Sequence, residues 1–238
     1  TASSGAVVRL NSGATMYLTN GVTEVVGALY LNGALQTAGT WGSTSSSADN
    51  KNDTYFAGPG MLLVGVNPTV GVWINDISDG NWSVGANWIN GVRPMGSGAT
   101  AYFTNNIIAD RTVFEDYSGG LTIGKMIFGS PNTYNWTIAN NQISLSDTST
   151  PVITVNGNMA TIASVVGGYQ GFSKTGAGTL VLSGANTYSG STIINNGTLI
   201  LSSTNALPVN GTVVMGSGAN VGVLNLGSYN QSITGLTV

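Results

Sequence analysis

The sequence predicts an all-β fold, a parallel β-solenoid with protruding loops, from three observations. Between residues 169 and 201, short apolar runs rich in β-branched residues are separated by Gly, Asn and Ser clusters, as strands are by turns. None of these runs is long enough for a helix. The triplet Asn196-Gly197-Thr198 recurs as Asn210-Gly211-Thr212, and an apolar triplet follows each copy. Because Asn-Gly favours the positive φ of a tight turn, each copy is interpreted as a corner that starts a strand, and strands and corners at a rough period predict a solenoid.

Residues 1–66 are predicted to form a first group of strands around a polar loop. The predicted strands are 7–10, 15–18, 28–31 and 61–64, with Asn-Gly corners at 20–21 and 32–33. A Ser-rich loop over residues 39–50 returns through residues 54–60. Trp41, Tyr55 and Phe56 are interpreted as anchors that hold this loop against the strands, because large aromatic side chains gain most from burial.

A boundary is predicted at residues 66–69, where Pro68 interrupts the strand pattern. Further strands are predicted at 100–103, 112–114, 121–128, 134–138, 143–145, 152–155, 179–182, 192–194, 198–201, 213–215, 223–226 and 236–238. Strands at this spacing fit either a solenoid or tandem β-sandwich modules. The repeat downstream favours the solenoid, because stacked coils need a neighbour on each side.

One stretch of the sequence resembles a known family. Lys174-Thr175-Gly176-Ala177-Gly178-Thr179-Leu180, followed by Leu182-Ser183-Gly184-Ala185-Asn186-Thr187-Tyr188-Ser189-Gly190 and by Asn196-Gly197-Thr198-Leu199, resembles the autotransporter-associated β-strand repeat. This repeat, also called the passenger-associated transport repeat, occurs in bacterial surface and secreted proteins. The resemblance implies a right-handed parallel β-helix that is exported from the cell, and it implies no catalytic residues.

Two other segments resemble modules of large bacterial surface proteins that carry the same repeat. Residues 29–64 resemble a closing module, and the Trp-rich residues 72–103 resemble an opening module. The predicted organisation is therefore a closing-type module at 1–66, a Trp-rich module at 67–165 and repeats at 166–238, within one continuous solenoid. The start of the sequence has no initiator Met and no signal-peptide pattern, and it is interpreted as a processed chain or a piece of a longer one.

The composition excludes several classes of function. The 238 residues include six Lys and Arg, no Cys and no His, and the net charge is −3. Such a chain has no basic surface for nucleic acid, no disulfide framework, no Ser-His-Asp triad and no thiolate or imidazole ligands for zinc. No run approaches the 18 apolar residues of a membrane-spanning helix, so no membrane insertion by this segment is expected.

Carboxylates are the remaining candidates for chemistry. They lie in three scattered groups: Asp49 with Asp53, Asp76 with Asp79, and Asp110 with Glu115 and Asp116. A glycosidase needs two carboxyl groups at a fixed separation, and a calcium-dependent lyase needs clustered Asp with a base. The sequence shows neither pattern, and Arg93 and Arg111 have no evident partners. The prediction is therefore no enzyme, no catalytic, cofactor-binding or metal site, and no cofactor.

Structural roles are predicted for the remaining polar residues. Residues 76–81 carry oxygen ligands around a Gly turn, but they lack the spacing of an EF-hand and are interpreted as turn-capping side chains. Asp110, Glu115 and Asp116 are expected to form a solvated ion-pair cluster around Arg111. Lys174 is expected to lie exposed on the surface of a coil.

Three functions stay open, and an extracellular structural or adhesive solenoid, part of a cell-surface fibre or passenger domain, is favoured. The second is a carbohydrate-binding surface with a row of exposed aromatic side chains: Trp73, Trp82, Trp88, Tyr102 and Trp136. The third is a β-helical polysaccharide lyase or glycosidase. The expected partners are other copies in an end-to-end filament or neighbouring repeats of a longer chain, and surface glycans are a further expected partner. The expected location is extracellular or on a bacterial cell surface. If the fold is a solenoid, Leu180, Leu182, Leu199 and Leu201 must point into one core.

Overall fold

The computed structural model describes residues 7–19, 22–37, 39–64, 70–216 and 222–238. The predictions for the corner at 20–21 and the boundary at 66–69 therefore lie outside the described residues. The chain divides into two compact units, Thr1–Asn67 and Pro68–Val238, which are called unit 1 and unit 2. The division into three modules and their continuity in one solenoid stay predictions.

Unit 1 is built from short strands. They are β1 (Val7–Leu10), β2 (Met16–Tyr17), β3 (Thr23–Val26), β4 (Ala28–Leu31), β5 (Ala34–Leu35), β6 (Gly39–Gly42), β7 (Asn50–Lys51), β8 (Phe56–Ala57) and β9 (Met61–Val64). The pairs β1–β4, β2–β8, β3–β9 and β6–β7 are parallel, whereas β4–β5 and β6–β9 are antiparallel. The unit is thus a mixture of parallel stacking and local reversals.

The aromatic residues of unit 1 hold its polar loop in place, as predicted. Trp41 and Phe56 are buried in the same hydrophobic cluster as Leu29 and Leu62, and Tyr55 packs against that cluster. The indole nitrogen of Trp41 donates a hydrogen bond to the carbonyl oxygen of Thr37 at 2.9 Å. The anchoring role is confirmed.

Unit 2 alternates strands with turns along its whole length. Its strands are β10 (Val70–Val72), β11 (Gly80–Asn81), β12 (Thr100–Phe103), β13 (Arg111–Glu115), β14 (Leu121–Ile123), β15 (Lys125–Phe128), β16 (Trp136–Asn140), β17 (Ile143–Leu145), β18 (Val152–Val155), β19 (Met159–Ile162), β20 (Val166–Gly167), β21 (Phe172–Thr175), β22 (Thr179–Leu182), β23 (Thr192–Ile194), β24 (Gly197–Leu201), β25 (Gly211–Met215), β26 (Gly222–Asn225) and β27 (Ile233–Thr237). Two single-turn 3-10 helices, Gly85–Asn87 and Ile89–Gly91, lie between β11 and β12.

The strands of unit 2 form three sheets that the chain visits in turn. An eight-stranded sheet has the order β10-β12-β15-β18-β21-β23-β25-β27, a seven-stranded sheet has the order β11-β13-β16-β19-β22-β24-β26, and a short sheet has the order β14-β17-β20. The strand pairs within these three sheets are parallel. One turn of the chain through the sheets is called a coil. Each coil contains roughly 20–30 residues, a period typical of solenoids. The predicted β-solenoid is confirmed, and the alternative of tandem β-sandwiches is wrong for unit 2.

The core of the solenoid is a stack of inward-facing side chains. Leu180 pairs in register with Leu199 and Leu182 pairs with Leu201, and all four are fully buried. Because side chains alternate between the two faces of a strand, the residues between them point outward. The prediction that these four leucines share one core is confirmed.

The corners between strands depend on glycine at two instructive positions. Gly197 has a φ of +67°, and a Cβ atom there would collide with the carbonyl oxygens of Gly176 and Gly178 in the preceding coil. Gly124 separates β14 from β15, and a Cβ atom there would lie 2.6 Å from the Cα atom of Gly98. The single strand predicted at 121–128 is therefore wrong, since the chain turns from one sheet to the next at Gly124.

Replacement of an inward leucine should destabilise unit 2 much more than replacement of its outward neighbour. For Leu199→Ala we expect the free energy of unfolding to fall by about 2–5 kcal/mol, because a buried leucine leaves a cavity. Ile200, which is half-exposed on the same strand, provides the control, and Ile200→Ala should have less than about half of that effect. Urea unfolding followed by circular dichroism measures both. Equal losses would contradict the assignment of inward and outward faces.

Candidate functional site

The tryptophans of unit 2 form a buried cluster and not an exposed row. Trp73, Trp82, Trp88 and Trp136 are each at most 1% exposed. The Trp73 and Trp88 rings meet edge to face with centroids 5.1 Å apart, and the Trp82 and Trp88 centroids are 5.0 Å apart. The predicted sugar-stacking row is wrong for these four residues, because their faces are covered by other aromatic rings.

The indole N–H groups of the first three tryptophans are also occupied. Trp73 donates to the carbonyl oxygen of Asn75 at 2.8 Å, Trp82 to that of Pro94 at 3.1 Å, and Trp88 to that of Trp82 at 2.8 Å. Buried indoles normally find such an acceptor. These tryptophans therefore fix the turns around β11 and leave neither a face nor a donor for a ligand.

Asx side chains link successive coils at the start of the seven-stranded sheet. Asp79 accepts a hydrogen bond from the backbone N–H of Thr112 at 2.8 Å, and Asp110 accepts one from the backbone N–H of Asn135 at 2.8 Å. Asn135 continues the series by accepting from the backbone N–H of Met159 at 3.1 Å. In each step a side chain of one coil satisfies a backbone donor of the next, so these carboxylates have structural partners.

Most of the other candidate carboxylates also cap backbone or hydroxyl donors. Asp116 accepts from the backbone N–H of Ser83 at 2.9 Å and from its hydroxyl at 2.5 Å. In unit 1, Asp49 accepts from the hydroxyl of Thr40, and Asp53 accepts from the backbone N–H and hydroxyl of Thr44. Within the described residues, no group of three or more His, Cys, Asp or Glu side chains could hold a metal ion.

The solvated ion-pair cluster expected around Arg111 is wrong. The Nε of Arg111 donates to the carbonyl oxygen of Asp76 at 2.9 Å, and its Nη1 donates to that of Asp110 at 3.3 Å. Asp116 bonds to Ser83 instead, and Glu115 is fully buried. The backbone carbonyls meet the guanidinium at the corner because Arg111 begins β13 directly beside them.

Glu115 differs from the other carboxylates. Its side chain faces the interior on the same face of β13 as Val113, and both residues are fully buried. One carboxyl oxygen, Oε1, accepts a hydrogen bond from the backbone N–H of Tyr117 at 2.8 Å, and the other, Oε2, has no hydrogen-bond partner. Burial raises the pKa of Glu115 to about 7 from an ordinary value of 4.5.

Lys174 also lies inside the solenoid, so its expected exposed position is wrong. The residue is fully buried, and its register places it between Ile153 and Ile194 of the neighbouring coils. Its ammonium group donates to three backbone carbonyl oxygens: those of Thr175 at 2.8 Å, Gly176 at 2.8 Å and Asn196 at 3.0 Å. Burial lowers the pKa of Lys174 to about 8.

Asn186 and Tyr188 complete the inward-facing polar contacts of this region. Asn186, which is buried, accepts from the backbone N–H of Val166 at 2.8 Å and donates to the carbonyl oxygen of Ala206 at 2.6 Å. One amide therefore joins the coil before it to the coil after it. Tyr188 packs edge to face on Phe172 with centroids 5.5 Å apart, and its hydroxyl shares a 2.7 Å hydrogen bond with Thr192.

The comparisons with known proteins agree with this geometry. Residues 172–201, which hold Lys174, Asn186, Tyr188 and Gly197, match the family described as Passenger-associated-transport-repeat. The resemblance seen in the sequence is confirmed. A curated relative, the adhesin BmaC autotransporter of Brucella suis biovar 1 (strain 1330), is 34% identical over 145 residues, or 58% of this chain. The chain spans 4% of the length of that relative. No solved structure matches the chain.

Two polar side chains of the matched residues face the interior of the solenoid. Lys174 and Asn186 are buried there and bond to backbone groups of adjacent coils. Sequence reasoning missed Lys174 and Asn186 as interior residues. For Lys174 a signal existed, because strict alternation places it on the same face of β21 as Phe172. In the described part of the chain no helix is long and apolar enough to cross a membrane.

The ammonium group of Lys174 should be needed for stability. Lys174→Met keeps the aliphatic length but leaves three carbonyl oxygens without this donor. We expect the free energy of unfolding to fall by about 2–4 kcal/mol, since a buried acceptor without a partner costs about 1–3 kcal/mol.

Lys125→Met is the matched control for this substitution. Lys125 is 41% exposed and forms a 3.7 Å salt bridge with Asp147, so its loss should change stability by less than about 1 kcal/mol. Urea unfolding at neutral pH compares the two variants. A Lys174→Met protein as stable as the Lys125→Met protein would show that the three carbonyl contacts contribute nothing.

Proposed function

We propose that this chain is a non-catalytic, adhesive segment of a passenger domain displayed on a bacterial cell surface. The observation that carries the proposal is the use of the repeat's polar side chains. Lys174 and Asn186 bond to backbone groups of the next coil, and Tyr188 packs on Phe172 of the preceding coil. The repeat therefore builds a support and leaves contact with other molecules to the outer faces. The adhesin name of the curated relative supports the same function.

The candidate carboxylates support a non-catalytic role. Asp79, Asp110 and Asp116 each accept backbone N–H groups from another part of the chain. A glycosidase pair needs one protonated and one ionised carboxyl group on either side of a substrate. Glu115 has the raised pKa of such an acid, but it is fully buried and faces the core, where no polysaccharide can reach it.

The outer faces of the last coils are the proposed contact surface. Residues 175–238 contain no Asp, Glu, Lys or Arg, so the surface of these coils is made of hydroxyl, amide and aliphatic groups. Ile193 and Val214 are half-exposed and adjacent in register on the eight-stranded sheet. A neutral surface with exposed aliphatic side chains suits contact with an uncharged protein surface or glycan, where no desolvated charge opposes binding.

Beads coated with the full 238-residue chain should adhere to cultured animal cells. Substitutions that place charge on the outer face of the eight-stranded sheet should abolish this adhesion. The test variant is Ile193→Lys with Val214→Lys, and the control is Thr137→Lys with Thr161→Lys on the seven-stranded sheet, where these residues are adjacent in register. The variants must keep the unfolding midpoint of the parent chain.

The outcomes of the adhesion test are distinct. We expect bead retention under flow for the parent and control proteins, and loss for the Ile193/Val214 variant. Sensitivity to enzymatic removal of cell-surface glycans would identify the glycan as the target, and insensitivity would identify protein. Equal retention of coated and uncoated beads would contradict an adhesive function.

Self-association is proposed as a second property, through the strands β26 and β27. Val223, Leu226 and Leu236 are 49%, 45% and 55% exposed, although Leu236 lies in register with the buried Val213. Sheet edges that bear no charge readily pair with another chain. The proposed partner is a further coil, supplied by a second copy of this chain or by neighbouring repeats of a longer chain.

Leu236→Lys should reduce this association, because a charge at an edge strand opposes strand pairing. Ile77→Lys is the control, since Ile77 is 74% exposed in the turn before β11. Light scattering over a range of protein concentrations measures the particle mass. A parent chain that stays monomeric at every concentration would rule out the association.

A further inference from the structure

Glu115 is an acidic side chain built into the wall of the solenoid. Strand β13 runs between β11 and β16, and the inward positions of β13 are Val113 and Glu115. Both are 0% exposed. Directly beside Glu115, the backbone N–H of Trp82 donates to the carbonyl oxygen of Phe114 at 2.8 Å, so this position joins the aromatic cluster to the next coil.

The hydrogen bonds of Glu115 fit a neutral carboxylic acid better than a carboxylate. A carboxylate offers about four lone-pair sites for donors. Here Oε1 accepts a single bond, from the backbone N–H of Tyr117, and Oε2 accepts none. A buried anion with one donor is strongly disfavoured, whereas the protonated group has less charge to satisfy.

The neighbouring charges do not compensate an ionised Glu115. Asp116, the next residue, adds a negative charge that raises the pKa of Glu115 further. Tyr117 is the other titratable neighbour on the same segment. Arg93 contacts this corner from the segment after the 3-10 helices, and its Nη1 donates to the carbonyl oxygen of Ser83 at 2.9 Å. The strands on either side, β11 and β16, contain no ionisable residue.

Asp116 and Arg93 meet at Ser83. Asp116 accepts from the backbone N–H and hydroxyl of Ser83, and Arg93 donates to its carbonyl oxygen. One negative and one positive group thus hold the same turn, and their charges balance. An ionised Glu115 would leave this corner with a net negative charge inside the fold.

We propose that Glu115 makes the first coils of unit 2 more stable in acid. The protonated side chain holds the corner after β13 in place, and loss of its proton weakens the attachment of β13 to the aromatic cluster. The sign follows from linkage. The pKa of Glu115 is raised in the fold to about 7 from 4.5. Between these two values the folded chain holds a proton that the unfolded chain has lost. Stability therefore falls as the pH rises through this window and changes no further above it.

The test compares the full-length parent with Glu115→Gln, which keeps the shape and cannot ionise. Urea unfolding is measured from pH 4.5 to pH 7. Relative to the Gln variant, we expect the unfolding equilibrium constant of the parent to rise about tenfold for each pH unit. Asp76→Asn, a carboxyl-to-amide change at a half-exposed site, is the control, and its curve should run parallel to that of the parent.

A local measurement keeps the proposal testable if the Gln variant does not fold. Hydrogen exchange of the parent chain follows the backbone N–H groups of Tyr117 and Trp82, which bond to Glu115 and Phe114. After correction for the intrinsic pH dependence of exchange, protection of both should fall as the pH rises from 4.5 to about 7 and then level off, while protection of Thr198 in β24 should not change. Parallel curves for parent and Gln variant, or protection at Tyr117 that is independent of pH, would overturn the proposal.

Discussion

The in-register stacking of parallel strands is the constraint on which unit 2 depends. Each inward side chain lies on the inward side chain of the preceding coil, as Leu201 lies on Leu182. A polar side chain at such a position has apolar neighbours above and below, so it must find its partners at the corners. Lys174 does this by reaching three corner carbonyl oxygens, and Thr192 does it through the hydroxyl of Tyr188.

Strand positions were predictable where alternation was strict and turn residues bounded it. The predicted strands at 143–145, 152–155 and 179–182 agree with β17, β18 and β22. Their assignment to three sheets was not predictable, because each strand pairs with residues one coil away and the corner geometry decides which sheet it joins. The strand predicted at 121–128 shows this, since one close approach at Gly124 splits it between two sheets.

The errors at the candidate site have a common cause. The general rule that charged residues are exposed predicts a surface position for Lys174 and Glu115, although alternation places both on the inward face of their strands. The tryptophans were open to two interpretations, because a row of aromatic residues in a sequence does not show whether the rings cover one another. Their burial follows from the 3-10 helices and turns between β11 and β12, which no periodic pattern predicted.

Glu115 and Lys174, both fully buried, give unit 2 an unusual dependence on pH. Glu115 is more easily held as a neutral acid, so its contribution to stability decreases from pH 4.5 to about 7. Burial lowers the pKa of Lys174 from 10.5 to about 8, so the penalty for burying its charge is complete below pH 8 and disappears as the pH rises to 10.5. The sum of these two contributions is lowest between about pH 7 and pH 8. Near neutral pH the fold therefore depends most on its stacked apolar side chains and on the carbonyl oxygens that hold Lys174.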